Sequence, residues 1–287
     1  MSKGPVGVVG LGLMGAAITE RLLEHGYPVQ IWNRTAGKAR PLVERGAIWS
    51  DHPAATCDRV IISLYSSDVV AEVLHSMAAD LRPGQVLVDT TTGMPEQTIS
   101  MGIRLLERGV RYLDAPISGS SEQTRRGEAV VMVGGEQAAF DDCGDLWPVL
   151  GKKAFHTGPC GSAAKMKLVT NLVLGLNRAV LAEGLAFAGM IGVTESSALE
   201  VLRESPAYSR AMDVKGRKMI ERDYSVQARL AQHLKDVNLM LESARSVGRA
   251  LPLSQAHREL LEQAVATGLG ELDNSAIVEV LRESKPT

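Results

Sequence analysis

The chain has 287 residues and 45% of them are hydrophobic, which is enough to build the cores of one large domain or two ordinary ones. A formal net charge of -2, with charges spread along the chain, provides no basic surface for nucleic acid, so nucleic acid is not an expected partner. The three cysteines show no metal-binding spacing and no even pairing, and the sequence predicts neither a disulfide framework nor a metal site. Because a strand pattern begins by Val6, no signal peptide is predicted, and we expect a cytoplasmic protein.

The first predicted strand, Val6–Val9, runs directly into Gly10-Leu11-Gly12-Leu13-Met14-Gly15 and then into a helical pattern that closes at Gly26. A GxGxxG segment between a strand and a helix is typical of a dinucleotide site. Its first glycine permits a tight turn, its second lets the backbone approach a pyrophosphate, and its third allows close helix packing. The phosphates would rest on the helix N-terminus, where free N–H groups and the helix dipole favour anions. The flanking patterns favour this interpretation over a purely structural glycine turn.

The second predicted strand, residues 28–32, ends at Asn33-Arg34-Thr35, about twenty residues after the glycine loop, where NAD enzymes carry an Asp or Glu for the ribose 2′-hydroxyl. No carboxylate stands here. Asn33 and Thr35 can hydrogen-bond a phosphate, and Arg34 can pair with it while stacking on the adenine. The sequence therefore predicts NADP rather than NAD as the cofactor, and the reductive direction with NADPH is favoured.

Strand and helix patterns alternate through the first half of the chain, which predicts a doubly wound, largely parallel Rossmann sheet of the α/β class. Further strands are predicted at 60–64, 86–89, 111–115, 129–133 and 153–156, and helices at 36–45, 67–79, 95–108 and 137–150. The rest is predicted helical, at 162–191, 194–203, 206–221, 227–247, 251–267 and 273–283. We therefore predict a dinucleotide-binding domain over 1–161 and an all-α substrate and oligomerisation domain over 162–287.

The first helix of the second domain carries the residues best suited to proton transfer. Lys167 and Asn171 are four residues apart and share one helix face, so they can hold a small substrate and exchange a proton with it. Spacing alone favours the commoner case, a solvated or paired surface lysine. Arg178 follows on the same face and is predicted to form an interdomain or intersubunit ion pair. Polar residues interrupt the apolar segment 168–193, so a buried helix is predicted there rather than a membrane span.

Four separated motifs resemble those of the β-hydroxyacid dehydrogenase family, which includes 3-hydroxyisobutyrate dehydrogenases and glyoxylate/succinic semialdehyde reductases. They are the glycine loop, Asp114-Ala-Pro-Ile-Ser118-Gly119, Gly161-Ser-Ala-Ala-Lys-Met-Lys167-Leu-Val-Thr-Asn171, and Leu234-Lys235-Asp236. The resemblance implies a Rossmann domain followed by an all-α domain of the 6-phosphogluconate dehydrogenase type. It also implies hydride transfer between a nicotinamide and a small carboxylate-bearing substrate, in a cleft between the domains.

The resemblance further implies a role for each matching residue. Lys167 would be the general acid/base, and Asn171 would orient the substrate oxygen and the lysine. Ser118 and the backbone of Gly119 would bind the substrate carboxylate. Thr92 would contact the nicotinamide ribose and Lys235 would approach the nicotinamide. The residues alone leave simpler alternatives open: a polar turn over 118–121, a helix cap at Thr92 before Pro95, and an exposed charge pair between Lys235 and Asp236.

The chain departs from the family pattern at three positions. Ala163 and Ser120 stand where glycines are usual, and Ala228 stands where a phenylalanine often lines the substrate pocket, which predicts a roomier or differently shaped site. The predicted activity is an NADP-dependent interconversion of a small 3-hydroxy or 2-hydroxy acid with its semialdehyde or oxo acid. An imine reductase on the same fold and a catalytically silent, cofactor-binding scaffold are the alternatives. The long apolar helix predicts a homodimer or homotetramer.

Overall fold

The computed structural model describes residues 3–283, and the chain divides between Lys167 and Leu168 into two compact units. Within the described residues, the first unit contains a nine-stranded sheet in the order β3-β2-β1-β4-β5-β6-β8-β7, with β9 paired to β8. Its strands are β1 Val6–Val9, β2 Val29–Trp32, β3 Ile48–Trp49, β4 Arg59–Ile62, β5 Val86–Asp89, β6 Arg111–Asp114, β7 Ile117–Ser118, β8 Val130–Gly134 and β9 Lys153–Gly158.

The sheet has the topology of a dinucleotide-binding fold. Strands β3, β2, β1, β4, β5 and β6 are mutually parallel neighbours, and this order is that of the doubly wound Rossmann sheet. Strand β8 runs antiparallel to β6 and β7. Strands β1 and β5 are buried along their whole length, as expected for continuous apolar strands covered on both faces. The predicted α/β class is confirmed.

The helices of the first unit differ from the predicted ones mainly in length. They are α1 Leu13–Glu24, α2 Arg40–Val43, α3 Pro53–Thr56, α4 Ser67–Ser76, α5 Pro95–Leu106, α6 Ser121–Arg125, α7 Gln137–Asp142 and α8 Trp147–Leu150, with a 3₁₀ turn over Ala36–Ala39. The single helix predicted over 137–150 is wrong. Pro148 has no N–H to donate to a preceding carbonyl, so the helix breaks and restarts with Pro148 in the first turn of α8.

The second unit is helical, as predicted. Its elements are α9 Ser162–Met190, α10 Glu195–Glu204, a π-helical turn Met212–Gly216, α11 Arg217–Glu221, α12 Leu230–Ser246, α13 Pro252–Ala266, a 3₁₀ turn Asn274–Ala276 and α14 Ile277–Glu283. Leu181, Leu185, Leu230, Leu261 and Ile277 are among the apolar side chains of its core. Helix α9 begins directly after the predicted domain boundary, whereas the compact units divide within this helix, after Lys167.

Among residues 3–283, α9 is the one helix long and apolar enough to cross a membrane, with a mean hydropathy of 1.4 over its most apolar window. Its polar residues therefore do not exclude a membrane span on composition, contrary to the sequence argument. In the structure 44% of that window is buried inside the protein, and Lys167, Asn171 and Arg178 are buried as well. This burial is typical of a helix in a protein core.

Candidate active site

The segments predicted to bind cofactor and substrate follow the carboxyl ends of parallel strands. The glycine loop follows β1, residues 33–35 follow β2, residues 90–92 follow β5, and residues 115–119 follow β6. Parallel strands end at the same edge of a sheet, and ligands of doubly wound folds bind outside that edge. The first unit therefore brings the predicted cofactor and substrate segments to one side of its sheet.

Each glycine of the loop has its own physical requirement. Gly10 has φ +98°, and a Cβ there would lie 2.3 Å from the Ser63 carbonyl oxygen. A Cβ on Gly15 would lie 1.9 Å from the Gly10 carbonyl oxygen, so Gly15 permits the close packing of α1 on the turn. A Cβ on Gly12 would meet nothing within 4 Å, which leaves open space at the N-terminus of α1. A pyrophosphate fits this arrangement, because Gly12 would let it reach the backbone N–H groups of Leu13 and Met14.

The residues after β2 separate into one that orders the loop and two that face solvent. Asn33 accepts a hydrogen bond from the Leu11 N–H at 2.9 Å and donates one to the Thr35 carbonyl at 2.9 Å. Its side chain therefore ties the end of β2 to the glycine loop. Arg34 and Thr35 are exposed, and no hydrogen bond or ion pair of the Arg34 side chain is present within residues 3–283. A guanidinium in this position fits a 2′-phosphate.

The loop after β5 is ordered by a buried carboxylate. Asp89 accepts hydrogen bonds from the Tyr112 hydroxyl and from the Thr91 N–H at 2.8 Å. Burial raises the pKa of Asp89 to about 6, although both hydrogen bonds oppose that rise. Thr92 is half-buried, and the N-cap of α5 is Met94 rather than Thr92. The helix-cap alternative for Thr92 is therefore wrong.

The segment after β6 is more than a polar turn. Ser118 lies in β7 and pairs with Val130, and Gly119 follows with φ +153°. Ser120 is the N-cap of α6: its hydroxyl accepts a hydrogen bond from the Gln123 N–H at 3.2 Å, and the Gln123 side chain accepts one from the Ser120 N–H at 2.9 Å. This capping box accounts for a serine where the family usually has glycine.

Lys167 is buried, with 8% of its surface exposed, and its Nζ donates a hydrogen bond to the Ile117 carbonyl at 2.7 Å. Lys165, two residues earlier, is exposed. The surface interpretation that spacing favours for Lys167 is therefore wrong, and its ammonium is held on the residue that precedes Ser118. Ala163 is fully buried in the first turn of α9 and lacks a positive φ, so alanine is tolerated where glycine is usual.

Asn171 lies one helical turn after Lys167 and is 6% exposed. Its Nδ2 donates a hydrogen bond to Oδ2 of Asp236 at 2.9 Å, and Nζ of Lys235 lies 3.2 Å from Oδ1 of the same carboxylate. The Lys235 side chain is only 16% exposed, so the pair with Asp236 is not the exposed one considered above. Asp236 thus brings together two of the predicted site residues on α9 and α12.

Two of the buried carboxylates, those of Asp114 and Asp236, were given no individual role from the sequence. Asp114 is 3% exposed and accepts hydrogen bonds from the Gly161 N–H at 2.9 Å and the Ala164 N–H at 2.8 Å. Burial raises the pKa of Asp114, and these hydrogen bonds oppose that rise. Asp236 is the second. Both residues lie in motifs that resemble those of the family, and only this resemblance could have identified them from the sequence, because their hydrogen-bond partners lie far away in the chain.

The predicted ion pair of Arg178, between domains or between subunits, stays a prediction. Arg178 is 3% exposed, and among residues 168–283 no carboxylate of its own unit lies within ion-pair distance of it. Burial lowers the pKa of Arg178 to about 10. Within the same described range no group of three or more His, Cys, Asp and Glu side chains could hold a metal ion.

Comparison with known proteins gives two family models that together cover most of the chain. Residues 5–158 match the NAD binding domain of 6-phosphogluconate dehydrogenase. Residues 161–281 match the model described as NAD-binding of NADP-dependent 3-hydroxyisobutyrate dehydrogenase.

Two curated relatives differ in length from each other. The chain is 30% identical over 286 residues to glyoxylate/succinic semialdehyde reductase 1 of Arabidopsis thaliana, a match that covers 98% of this chain and 99% of the reductase. It is also 30% identical over 278 residues to the cytokine-like nuclear factor N-PAC of Xenopus tropicalis, covering 95% of this chain and 52% of N-PAC. The chain thus spans about half the length of N-PAC and nearly all of the plant reductase.

Solved structures share the fold over almost the whole chain. A 3-hydroxyisobutyrate dehydrogenase from Salmonella typhimurium has a TM-score of 0.89 at 23% identity, covering 97% of this chain and 100% of that one. Psf3 in complex with NADP+ and 2-OPP has a TM-score of 0.89 at 26% identity, covering 96% and 99%. An imine reductase from a Pseudomonas species has a TM-score of 0.68 at 23% identity, covering 97% and 99%.

The matched family models, the full-length plant relative and the glycine loop at the carboxyl edge of a Rossmann sheet agree with the motifs found in the sequence. The chain belongs to the β-hydroxyacid dehydrogenase family and has the NAD(P)-binding oxidoreductase fold of that family.

Proposed function

We propose that this protein is an NADP-dependent oxidoreductase that interconverts a small 3-hydroxy acid, or a 2-hydroxy acid, with its semialdehyde or oxo acid. The observation that carries the proposal is the buried ammonium of Lys167, held 2.7 Å from the Ile117 carbonyl beside Ser118. A lysine buried next to Ser118 and held by a backbone carbonyl is a side chain of the kind that exchanges a proton with a substrate oxygen.

When bound, a reduced nicotinamide would supply the hydride for reduction of a substrate carbonyl. Lys167 donates a proton to the carbonyl oxygen as the negative charge develops on it, and the product is an alcohol. In the oxidative direction Lys167 accepts the hydroxyl proton. Asn171 orients the substrate oxygen; since its Nδ2 is engaged by Asp236, its carbonyl oxygen is the group available as an acceptor.

The assignment of the carboxylate site rests on Ser118 and Gly119. The Ser118 hydroxyl and the Gly119 N–H are donors that follow the residue holding Lys167, so a carboxylate bound there has its neighbouring carbonyl close to the proton donor. Thr92 and Lys235 are assigned to the nicotinamide side of the cofactor.

NADP is proposed over NAD because Arg34 is exposed after β2 and no carboxylate stands at the ribose position. Psf3, which resembles this chain at 26% identity, binds NADP+, and this supports the same choice. The exposed Arg34 and Thr35 would hold the 2′-phosphate, while Asn33 supports the loop between them and the pyrophosphate.

The test follows NADPH absorbance against a panel of semialdehydes, oxo acids and cyclic imines, with the wild type and Lys167→Ala. We expect turnover of at least one carboxylate-bearing aldehyde or oxo acid, and a fall in kcat of about 10²- to 10⁴-fold in Lys167→Ala, because one general acid/base contributes about that factor. Lys165→Ala is the matched control, since Lys165 is exposed on the same helix, and it should retain wild-type kcat. Equal rates for wild type and Lys167→Ala contradict the proposed mechanism.

Two other functions have specific support and are separated by the same panel. The imine reductase fold and the small Ala228 support reduction of a bulkier cyclic imine, and turnover of imines alone would select that activity. The match to N-PAC, named as a nuclear factor, supports a cofactor-binding protein without turnover. Tight NADPH binding with no reaction across the panel would select this second function.

A further inference from the structure

Helix α9 has no acidic residue in its own first turn, although its N-terminus exposes unpaired N–H groups and carries the positive end of a long helix dipole. The carboxylate that binds this helix N-terminus belongs instead to the last residue of a strand. Asp114, the last residue of β6, accepts the N–H of Gly161 with Oδ1 at 2.9 Å and the N–H of Ala164 with Oδ2 at 2.8 Å. Both oxygens of one carboxylate therefore cap the helix that carries Lys167.

The cap is enclosed on the side facing β8. Gly134 is the antiparallel partner of Asp114, and a Cβ on Gly134 would lie 2.4 Å from Oδ1 of Asp114 and 2.7 Å from Oγ of Ser162. The Ser162 hydroxyl in turn lies 2.7 Å from that of Thr157. With 3% of its surface exposed, Asp114 is almost completely shielded from solvent.

A second connection joins the same two segments. Three residues after Asp114, the Ile117 carbonyl accepts the hydrogen bond from Nζ of Lys167 at 2.7 Å. Hydrogen bonds thus join the segment 114–117 to the start of α9 at two places. Asp114 binds backbone N–H groups of the helix start, and the Ile117 carbonyl binds the Lys167 side chain. A shift of the helix start along its axis would change where the ammonium lies relative to Ser118.

We propose that Asp114 is a positioning residue for the reaction: its carboxylate fixes the start of α9 on the end of β6 and thereby sets the place of the Lys167 ammonium beside Ser118. This inference rests on the proposed role of Lys167 as the general acid/base. Both oxygens of Asp114 are engaged by backbone N–H groups at the start of α9, so its effect on the rate passes through Lys167. A purely structural cap would instead lower stability without any special link to the lysine.

A double-mutant cycle separates the two cases, because residues that act as a unit are not additive whereas independent ones are. Asp114→Asn keeps the shape but places an amide N–H against one of the two helix N–H donors. In the wild-type background we expect kcat for the reduced substrate to fall about 10- to 100-fold, as for a small misplacement of a reacting group. In the Lys167→Ala background the same change should lower the residual kcat less than twofold. Equal fold-losses in both backgrounds, or no loss in the wild type, overturn the proposal.

Asp89→Asn is the matched control. Asp89 is the parallel partner of Asp114 on β5 and is also buried, but its carboxylate is bound to Tyr112 and Thr91 rather than to α9. The factor by which Asp89→Asn lowers kcat should be the same with and without Lys167.

Folding of each variant is verified by circular dichroism and by NADPH fluorescence titration. If Asp114→Asn does not fold, Asp114→Ser takes its place in the cycle, because serine removes the carboxylate without placing an amide N–H against the helix N–H groups. Full activity in Lys167→Ala alone would refute the proposed function, whereas additivity with a Lys167→Ala variant of strongly reduced kcat refutes only the role of Asp114.

Discussion

At the scale of single residues, position in the sheet decides which side chains are available to a ligand. Asn33, Arg34 and Thr35 are adjacent in sequence, but Asn33 is engaged with the backbone of Leu11 and Thr35 while the Arg34 side chain faces solvent. In the proposed NADP site, recognition of the 2′-phosphate therefore depends chiefly on Arg34. A charge-assisted contact of this kind is worth about 1.5–3 kcal/mol.

We expect Arg34→Ala to raise the Kd of NADPH about 10- to 100-fold, from the loss of that contact, and to raise the Kd of NADH far less, because NADH loses only the stacking on the adenine. Fluorescence titration of the reduced cofactors measures both values. Arg40→Ala is the control, because Arg40 is exposed nearby in sequence but pairs with Glu44. Unchanged NADPH affinity in Arg34→Ala, or comparable catalytic efficiency with NADH in the wild type, contradicts the NADP preference.

Residue types at motif spacings could be predicted from the sequence, but their environments could not. The burial of Lys167, and with it the rejection of the surface interpretation, depends on the Ile117 carbonyl, which no local pattern connects to the lysine. Asp114 caps a helix that begins almost fifty residues later, and Asn171 is bound by Asp236 from another helix. One sequence does not specify which carboxylate meets which distant N–H group.

At the scale of elements, the packing of α9 against α12 and α13 places basic side chains together. Gly175 of α9 faces two histidines: a Cβ there would lie 2.5 Å from Nε2 of His233 and 3.0 Å from Cε1 of His257, whose ring centroids are 5.2 Å apart. Burial, with a smaller contribution from the charge of Arg178, lowers the pKa of His257 to about 4. The bounds of α9 and α13 were predicted to within one residue, but this arrangement of helix faces was not predictable.

The shifted pKa of His257 predicts an acid-dependent loss of stability. The unfolded chain binds a proton at this residue near pH 6.5 and the folded chain only near pH 4, so the unfolded state holds more protons between these values. Stability from this residue is complete above pH 6.5 and is lost as the pH falls to 4. The full effect is about 3 kcal/mol. The difference in unfolding free energy between wild type and His257→Gln, measured by urea denaturation, should decrease by that amount from pH 7 to pH 4.

His52→Gln is the control for this measurement. A hydrogen bond with Asp80 raises the pKa of the exposed His52, so its contribution is present at low pH and is lost as the pH rises through the folded value. The two variants should therefore show opposite signs of pH dependence. A wild-type-to-His257→Gln difference that stays constant from pH 7 to pH 4 would show that His257 is not held neutral by the fold.

At the scale of the whole molecule, helix α9 exposes apolar side chains along one face of the chain. Several of its exposed residues repeat at intervals of three, four or seven: Met166, Val169, Val173, Val180, Phe187 and Met190. An apolar stripe of this length on a helix marks an interaction surface, and we propose that a second copy of the chain covers it. The largely parallel sheet could be predicted from the alternation of strand and helix patterns, and the long apolar helix predicted an oligomer, but the residues of the stripe could not be named from the sequence.

Sedimentation velocity at micromolar concentration should show a homodimer or homotetramer. Phe187→Asp, which places a charge in the middle of the stripe, should shift the protein towards the monomer, because burying an unpaired carboxylate is strongly unfavourable. Leu106→Asp, on the exposed face of α5 outside the stripe, should not. A wild type that sediments only as a monomer contradicts the proposal.

Because the Leu11 N–H donates a hydrogen bond to Asn33, a substitution of Asn33 that is meant to change the cofactor also changes the glycine loop. Asn33 stands where NAD enzymes carry a ribose-binding carboxylate, yet in this chain the same amide also donates to the Thr35 carbonyl. An Asn33→Asp substitution aimed at NAD would keep an acceptor for Leu11 but lose the donor for Thr35, and would add a negative charge beside the phosphate-binding loop. A change of cofactor preference, in nature or by engineering, should therefore disturb the structure less when it is made at Arg34 than when it is made at Asn33, the position where NAD enzymes carry the carboxylate.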